Sequence, residues 1–266
     1  MAGEERLLEP VGAGVPVDYE FLLRRLKRGK LEKDSESQKI MAEVFDQSTL
    51  MTLYHLMNKG VFDELHGVVS TGKEANIFLA RDRDQNPLAI KIYRIATTDF
   101  RTMWRYLAGD PRFQSLRKSR RHIILAWAKR EYKNLMRAQK AEIPAPKPID
   151  VRGNVLAMEF LGEEGLPYPR MKDRQPEDPK ATFEKLLEHV KTLYHEAELV
   201  HSDLSEYNVL VTPEPVLIDF SMATDVANPM SDEWLRRDIE NLTSYFRKLG
   251  VEVRVADELF AEIKSE

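Results

Sequence analysis

The stretch His201-Ser202-Asp203-Leu204-Ser205-Glu206-Tyr207-Asn208 is followed, eleven residues past Asn208, by Asp219 in Ile218-Asp219-Phe220. Between them, Val209-Leu210-Val211, Thr212-Pro213-Glu214-Pro215 and Val216-Leu217-Ile218 read as strand, turn and strand. A hairpin of that length returns Asp219 to the neighbourhood of Asn208, so both side chains could reach one metal ion. An Asp, an Asn five residues later and a second Asp beyond a short hairpin are the groups that phosphoryl transfer from ATP uses. One carboxylate accepts the hydroxyl proton, while the amide and the second carboxylate hold magnesium on the phosphates. A polar surface loop beside a buried hairpin could contain the same residue types, but three matches in this order and spacing point to the chemistry.

Upstream, the pattern suits a small sheet. Leu65–Ser70 and Ala75–Arg81 read as strands joined by a Gly-containing turn, and Leu88–Ile95 as a third strand. The first turn resembles a Walker A loop, since Gly67-Val68-Val69-Ser70-Thr71-Gly72-Lys73 has most of its spacing. Glu74, however, replaces the hydroxyl residue that would ligate magnesium, and the following residues alternate like a strand where Walker A opens a helix. The P-loop reading is therefore rejected. A strand-turn-strand with small residues at its tip is the setting of a loop that covers phosphates with backbone N–H groups.

Lys91 lies among apolar residues in Leu88-Ala89-Ile90-Lys91-Ile92-Tyr93. A buried ammonium needs an anion or an exposed face. In the long helix expected over Ile123–Ala141, Ile124, Ala128, Glu131, Leu135 and Ala138 recur at helical spacing, which puts Glu131 on the apolar stripe. A Lys91–Glu131 pair would satisfy both charges and direct the ammonium at the α- and β-phosphates. The rival partner for Glu131 is a neighbouring Arg130 or Arg137.

Other elements read more simply. Helices are expected over Glu36–Phe45, over Thr49–Asn58 with Ser48 as N-cap and Gly60 past the end, over Asp178–Leu199, and over about Ser231–Leu249 and Ala256–Lys264. Pro144, Pro146 and Pro148 end the long helix, Val155–Leu161 reads as a strand, and a linker follows. Residues 97–122 break periodicity.

Composition sets outer limits. The 266 residues suffice for one or two domains with a substantial core, and the chain is 42% hydrophobic and 32% charged, as a soluble globular protein is. A formal charge of −4 gives no overall reason to expect nucleic-acid binding. The absence of cysteine excludes disulfides and thiolate metal sites. No apolar run approaches the ~18 residues of a membrane span, and Met1–Arg6 lacks a signal-peptide pattern. No membrane association and a cytoplasmic location are expected.

Taken together, Ser70-Thr71-Gly72-Lys73-Glu74-Ala75-Asn76, the Lys91 strand, the His201–Asn208 motif and Ile218-Asp219-Phe220 resemble the RIO family of atypical serine protein kinases, in particular its first subfamily, which has no winged-helix domain. The resemblance covers about Ser48 to Lys264. It implies an α+β, two-lobed protein-kinase-like fold with a truncated C-lobe. Residues 1–47 would form an N-terminal extension with a helix, 48–157 the N-lobe with a flexible basic insert at 96–122, and 158–266 the hinge and reduced C-lobe. It further implies ATP with magnesium, or manganese in its place, as cofactors. Asp203 would be the catalytic base, and Asn208 and Asp219 the metal ligands. Lys91 would contact phosphates with Glu131 as its anchor, and Ser70, Thr71, Gly72, Lys73, Glu74, Ala75 and Asn76 would cover the nucleotide. The backbone at Met158, Glu159 and Leu161 would hydrogen-bond adenine. Asp238 would hold the catalytic loop, the alternative being an exposed helical Asp paired with Arg. His201 reads as a brace of that loop rather than a base, since Asp203 already fills that role.

Two departures from ordinary protein kinases are legible directly. Only 47 residues follow Asp219, no Ala-Pro-Glu occurs there, and Asp219-Phe220-Ser221 replaces Asp-Phe-Gly. A groove for extended peptides and an activation-loop switch are therefore not expected. The RIO resemblance implies autophosphorylation, with Ser115 and Ser119 as candidates, or ATP hydrolysis through phosphorylated Asp219, together with a role in maturation of the small ribosomal subunit. The pre-ribosomal particle would then be the partner. The insert carries Arg101, Arg105, Arg112, Arg117, Lys118, Arg120 and Arg121 against Asp99 and Asp110, so it could touch RNA, a substrate or the γ-phosphate. Two other classes share part of the pattern: small-molecule phosphotransferases of the aminoglycoside or choline kinase type, and nucleotide-gated assembly factors that barely transfer phosphate.

Overall fold

The computed structural model describes residues 45–95, 100–113 and 118–265. The expected helix over Glu36–Phe45 lies, apart from its last residue, outside the described residues, as does Ser115. Five antiparallel strands form the N-lobe sheet: β1 (Glu64–Thr71), β2 (Ala75–Arg81), β3 (Pro87–Tyr93), β4 (Pro148–Arg152) and β5 (Val155–Glu159), in the order β1-β2-β3-β5-β4. Strand alternation sorts β3 into two faces. Leu88, Ile90 and Ile92 join Phe78, Val155 and Ala157 in one core, under α1 (Gln47–Asn58) and its Leu53, Leu56 and Met57. Ala89 and Tyr93 join the second core, which continues through the long helix into the C-lobe. Lys91 shares their side of the strand, so its ammonium is delivered to the space between the lobes.

α1 starts earlier than expected. Its N-cap is Asp46, not Ser48: the Asp46 carboxylate accepts the Thr49 N–H at 2.7 Å from an extended backbone, and Ser48 is already helical. β4 was hidden by Pro148. Pro148 opens it at the sheet edge, one of the few strand positions that needs no N–H donor.

The insert is partly helical, which corrects the expectation of a flexible loop throughout. α2 (Phe100–Ala108) buries Met103, Tyr106 and Leu107, an apolar stripe of barely more than one turn. A 3-10 turn follows at Pro111–Phe113, and α3 (Arg120–Lys140) opens on Ser119 as N-cap. Ser119 is thus engaged in starting a helix, its hydroxyl accepting the His122 N–H at 3.4 Å.

After β5, the segment read as a linker contains a small hairpin, β6 (Gly162–Glu163) and β7 (Leu166–Pro167), turned by Glu164 and Gly165 at φ 52° and 82°. α4 (Pro179–His195) is shorter than expected. Glu198, at φ 50°, belongs to the turn leading into β8 (Leu199–Val200), which pairs with β11 (Thr224–Asp225). β9 (Val209–Leu210) and β10 (Val216–Leu217) form the anticipated hairpin, and α5 (Ser231–Lys248) and α6 (Ala256–Ser265) complete the C-lobe. Only the short β11 lies between Asp219 and the start of α5 at Ser231, so no extended activation segment stands there. The architecture is the two-lobed α+β fold of protein kinases with a reduced C-lobe.

Candidate active site

The site is built where β3, α3 and the two C-lobe loops meet. Lys91 Nζ lies 2.8 Å from Glu131 Oε1 and 3.0 Å from Asp219 Oδ1. Arg130 and Arg137, the rival partners for Glu131, go elsewhere. Arg130 pairs with Asp110, and Arg137 with Asp225 and the Ala197 and Glu198 carbonyls. The Tyr93 hydroxyl, two residues along β3 from Lys91, donates to the second oxygen of Glu131. Burial would lower the Lys91 ammonium, but Asp219 and Glu131 outweigh it and raise its pKa. Burial raises the Glu131 carboxyl while Lys91 and Tyr93 act to lower it. With an ammonium at 2.8 Å, the geometry favours the ionised pair.

The hairpin returns Asp219 as expected: the Ile218 N–H donates to the Asn208 carbonyl at 3.0 Å. Asn208 Nδ2 donates to the Asp203 carboxylate at 2.9 Å and to the Asp203 carbonyl at 2.8 Å. This fixes Asn208 so that Oδ1 is the atom left to serve as a ligand. The Asp219 side chain is 42% exposed into the cleft, at φ 62°. Partial burial works against its ionisation, yet the Lys91 charge and the Ser221 N–H hold its pKa down at about 2. Asp203 behaves oppositely: burial and then Asp219 raise its carboxyl, against Asn208 and Arg237. Two carboxylates with pKa values pushed apart, one firmly ionised and one better able to take a proton, suit different roles.

Asp238 holds the loop that carries Asp203. Its two oxygens accept the N–H groups of Ser202, at 2.7 Å, and Leu204, at 2.9 Å, so Asp203 is gripped on both sides. Burial pushes the Asp238 carboxyl up to about 8, against those two N–H groups and Arg237. Asn241 Nδ2 donates to the Leu204 carbonyl at 3.0 Å, and Arg237 donates to the Ser202 carbonyl. These ties hold Ser202 in the left-handed region, at φ 66°, where a non-glycine residue is strained. His201 Nε2 bonds the Ile218 carbonyl at 3.1 Å, bracing one loop on the other, and burial lowers its pKa to about 4.

The Gly-containing turn is strand-turn-strand, with β2 following it where a P-loop would have a helix. The Gly72 N–H donates to the Ala75 carbonyl, and a Cβ on Gly72 would lie 2.9 Å from that oxygen. Ser70, Thr71, Gly72 and Lys73 are exposed, Glu74 is half-buried and Ala75 is buried. Asn76 departs from the expectation. It is fully buried on the strand face of Phe78 and Ala80, with its Oδ1 accepting from Arg94 at 3.1 Å, so its side chain supports the turn from behind. At the hinge the Glu159 N–H donates to the Lys147 carbonyl and the Leu161 carbonyl accepts from Tyr168, while Met158 is buried beneath.

Arg130, Asn134, Arg237, Asn241 and Tyr93 were not assigned a place in the site from sequence. The available signal was the presence of Arg130 and Asn134 on the buried face of α3 beside Glu131.

A profile of the RIO domain matches residues 76–259, more than half of the chain. The chain belongs to the RIO family. Among its RIO relatives, the serine/threonine-protein kinase Rio1 of Methanocaldococcus jannaschii is 45% identical over 90% of this chain and 83% of its own length. Rio1 of Haloferax volcanii is 42% identical, over 83% of this chain and 76% of that protein. Human RIO1 is 35% identical over 86% of this chain, which spans only 41% of it. Among solved structures, the Rio2 kinase–ADP/Mg2+–phosphoaspartate complex of Chaetomium thermophilum superposes with a TM-score of 0.64. It is 18% identical and covers 82% of this chain and 67% of its own, a likeness of fold.

Proposed function

We propose that this RIO-domain protein is an ATP-dependent serine/threonine protein kinase, able to phosphorylate itself, to hydrolyse ATP, or both. The observation that carries the reading is the convergence of Lys91, Glu131 and Asp219 within hydrogen-bond reach, beside an Asp203–Asn208 pair gripped by Asp238. In this reading Lys91 binds the α- and β-phosphates and Glu131 keeps it in place. Asp203 accepts the proton of the attacking hydroxyl. The Ser70–Ala75 turn covers the phosphates, and the hinge peptides not already engaged, those around Phe160 and the Leu161 N–H, take the adenine.

Asn208 Oδ1 and the Asp219 carboxylate are hard oxygen donors suited to magnesium or manganese. Among the described residues no group of three or more His, Cys, Asp or Glu side chains gathers to form a protein cage for a metal. Magnesium needs none, since one or two side-chain oxygens, phosphates and water complete its shell. When bound, the ion neutralises charge on the phosphates.

The short connection from Asp219 to α5 favours an acceptor that is not an extended peptide. Asp219 itself is such an acceptor in this reading, and the Chaetomium Rio2 kinase is described as a phosphoaspartate complex. A cytoplasmic role in small-ribosomal-subunit maturation, with the pre-ribosomal particle as partner, rests on the family resemblance.

The test is incubation of the pure protein with γ-labelled ATP and magnesium, followed by chemical characterisation of the label. Acid-stable label identifies a serine kinase acting on itself. Hydroxylamine-labile label with steady phosphate release identifies an aspartyl-phosphate ATPase. Neither label nor released phosphate would leave a nucleotide-gated binding factor.

A further inference from the structure

Glu131 is only one of the side chains that α3 sends toward the site. On the same buried face, Asn134 Nδ2 donates to the Phe220 carbonyl at 2.9 Å and to the Ala223 carbonyl at 2.7 Å. Arg130 Nη1 donates to the Ser221 carbonyl at 2.8 Å, and its Nε donates to Asp110 Oδ2 at 3.2 Å from the other side. Arg130, Glu131 and Asn134 are all buried, at 0%, 1% and 0% exposure. One turn of helix therefore grips the metal loop twice: through the carbonyls of Phe220, Ser221 and Ala223, and through the Glu131–Lys91–Asp219 chain.

The three carbonyls belong to the turn that begins at Asp219, whose backbone sits in the left-handed region at φ 62°. A residue held there costs free energy and persists only where its surroundings over-determine it. Carbonyls can only accept, so Asn134 must present its NH2 to both, and neither an aspartate nor an aliphatic residue of the same size could do so.

We propose that Asn134 and Arg130 are positioning residues for Asp219, which lock α3 and the metal loop into one body so that the metal-binding carboxylate is preset. The inference rests on the reading of the cleft as a magnesium–nucleotide site. It adds that α3 has no swung-out state independent of the metal loop, and that Asp110 ties the basic insert to the same body through Arg130.

The experiment measures ADP affinity by titration calorimetry with EDTA and with magnesium, alongside thermal unfolding, for wild type, Asn134→Asp, Asn134→Ala and Arg137→Ala. Arg137 lies on the same helix and ties it to the β8–β11 region rather than to the metal loop. Wild type should gain affinity on adding magnesium. Both Asn134 variants should keep the affinity seen in EDTA and lose ~10- to 100-fold of the magnesium-linked gain, the range typical of groups that orient a metal ligand. Arg137→Ala should unfold at lower temperature with the gain intact. If the Asn134 variants unfold earlier but retain the full gain, the residue is structural only and the inference is overturned. Absence of any magnesium-linked gain in wild type would instead overturn the reading of the site, and the inference with it.

Discussion

Lys91 Nζ lies 3.0 Å from Asp219 Oδ1, joining the third strand of the N-lobe to the Asp219 loop of the C-lobe. Because Glu131 holds the same ammonium from the other side, one positive charge is shared by two carboxylates where the lobes meet, leaving a net negative charge there. The energetics of that point are asymmetric. Removing one partner of a buried pair costs much more than the pair adds, because the other charge is left without compensation.

Lys91→Ala should therefore destabilise the fold by roughly 3–5 kcal/mol, since it strands Glu131 at 1% side-chain exposure. Lys91→Ala with Glu131→Gln should recover part of that loss while phosphoryl transfer stays abolished. Urea denaturation of the single and double variants measures the first effect, and turnover the second. Equal stability of Lys91→Ala and wild type would contradict the pairing.

Tyr93→Phe removes the hydroxyl that donates to Glu131 and leaves the ring in place. Its expected cost is roughly 1.5–3 kcal/mol of stability, the range for a hydrogen bond to a charged group. A modest fall in turnover should accompany it, because Glu131 keeps Lys91 with one oxygen free to turn. Chemical denaturation and ATP turnover on the same preparation report both.

Asp238→Asn presents an NH2 to one of the two backbone N–H groups now accepted by the Asp238 oxygens. One donor of the catalytic loop is then buried without a partner, at a cost of ~1–3 kcal/mol. Since the loop carries Asp203, kcat should fall by about tenfold or more, with KM for ATP little changed, as expected of an interaction that orients the base. A rise in KM at constant kcat would place Asp238 in nucleotide binding instead.

His201 gives a pH signature. Its folded pKa, about 4, lies below the ordinary 6.5, because burial disfavours the cation more than nearby Asp219 favours it. Between those values the unfolded chain binds a proton that the native one does not. This contribution to stability is complete above pH 6.5 and is lost as pH falls toward 4, amounting to roughly 3 kcal/mol in all. His201→Gln, which keeps a donor for the Ile218 carbonyl, should flatten the decline of Tm between pH 6.5 and 4. An unchanged slope would mean that His201 titrates normally.

The charged centre was legible in the sequence because burial makes demands on charge. Lys91 among aliphatic residues and Glu131 on an apolar helical stripe each required a partner, and each is the other's. The Asp203–Asn208–Asp219 arrangement was legible because a hairpin of fixed length connects its parts. Asn134 and Arg130 sit on the same stripe, but their partners in the Asp219 loop are backbone carbonyls some 90 residues away, which no side-chain pattern announces. α2 was missed because Met103, Tyr106 and Leu107 span too few turns to establish a period, and packing of Tyr106 on Trp127 and Trp234 supplies what the local pattern lacks. β4 was missed because Pro148 reads as a breaker until it stands at a sheet edge.

The central claim, that Asp203 and Asp219 carry phosphoryl transfer in this cleft, is tested most directly by single-turnover transfer from magnesium–ATP in wild type, Asp203→Asn and Asp219→Asn. ADP binding should be checked in each. Wild type should transfer phosphate to itself or to water. Asp203→Asn should bind ADP as wild type does and transfer to a hydroxyl or to water at least ~100-fold more slowly, as loss of a general base does. Direct transfer to the Asp219 carboxylate should be spared, because it has no proton to give up. Asp219→Asn should lose both transfer and the magnesium-linked part of binding. Transfer to a hydroxyl or to water at the wild-type rate in Asp203→Asn, with binding intact, would contradict the account.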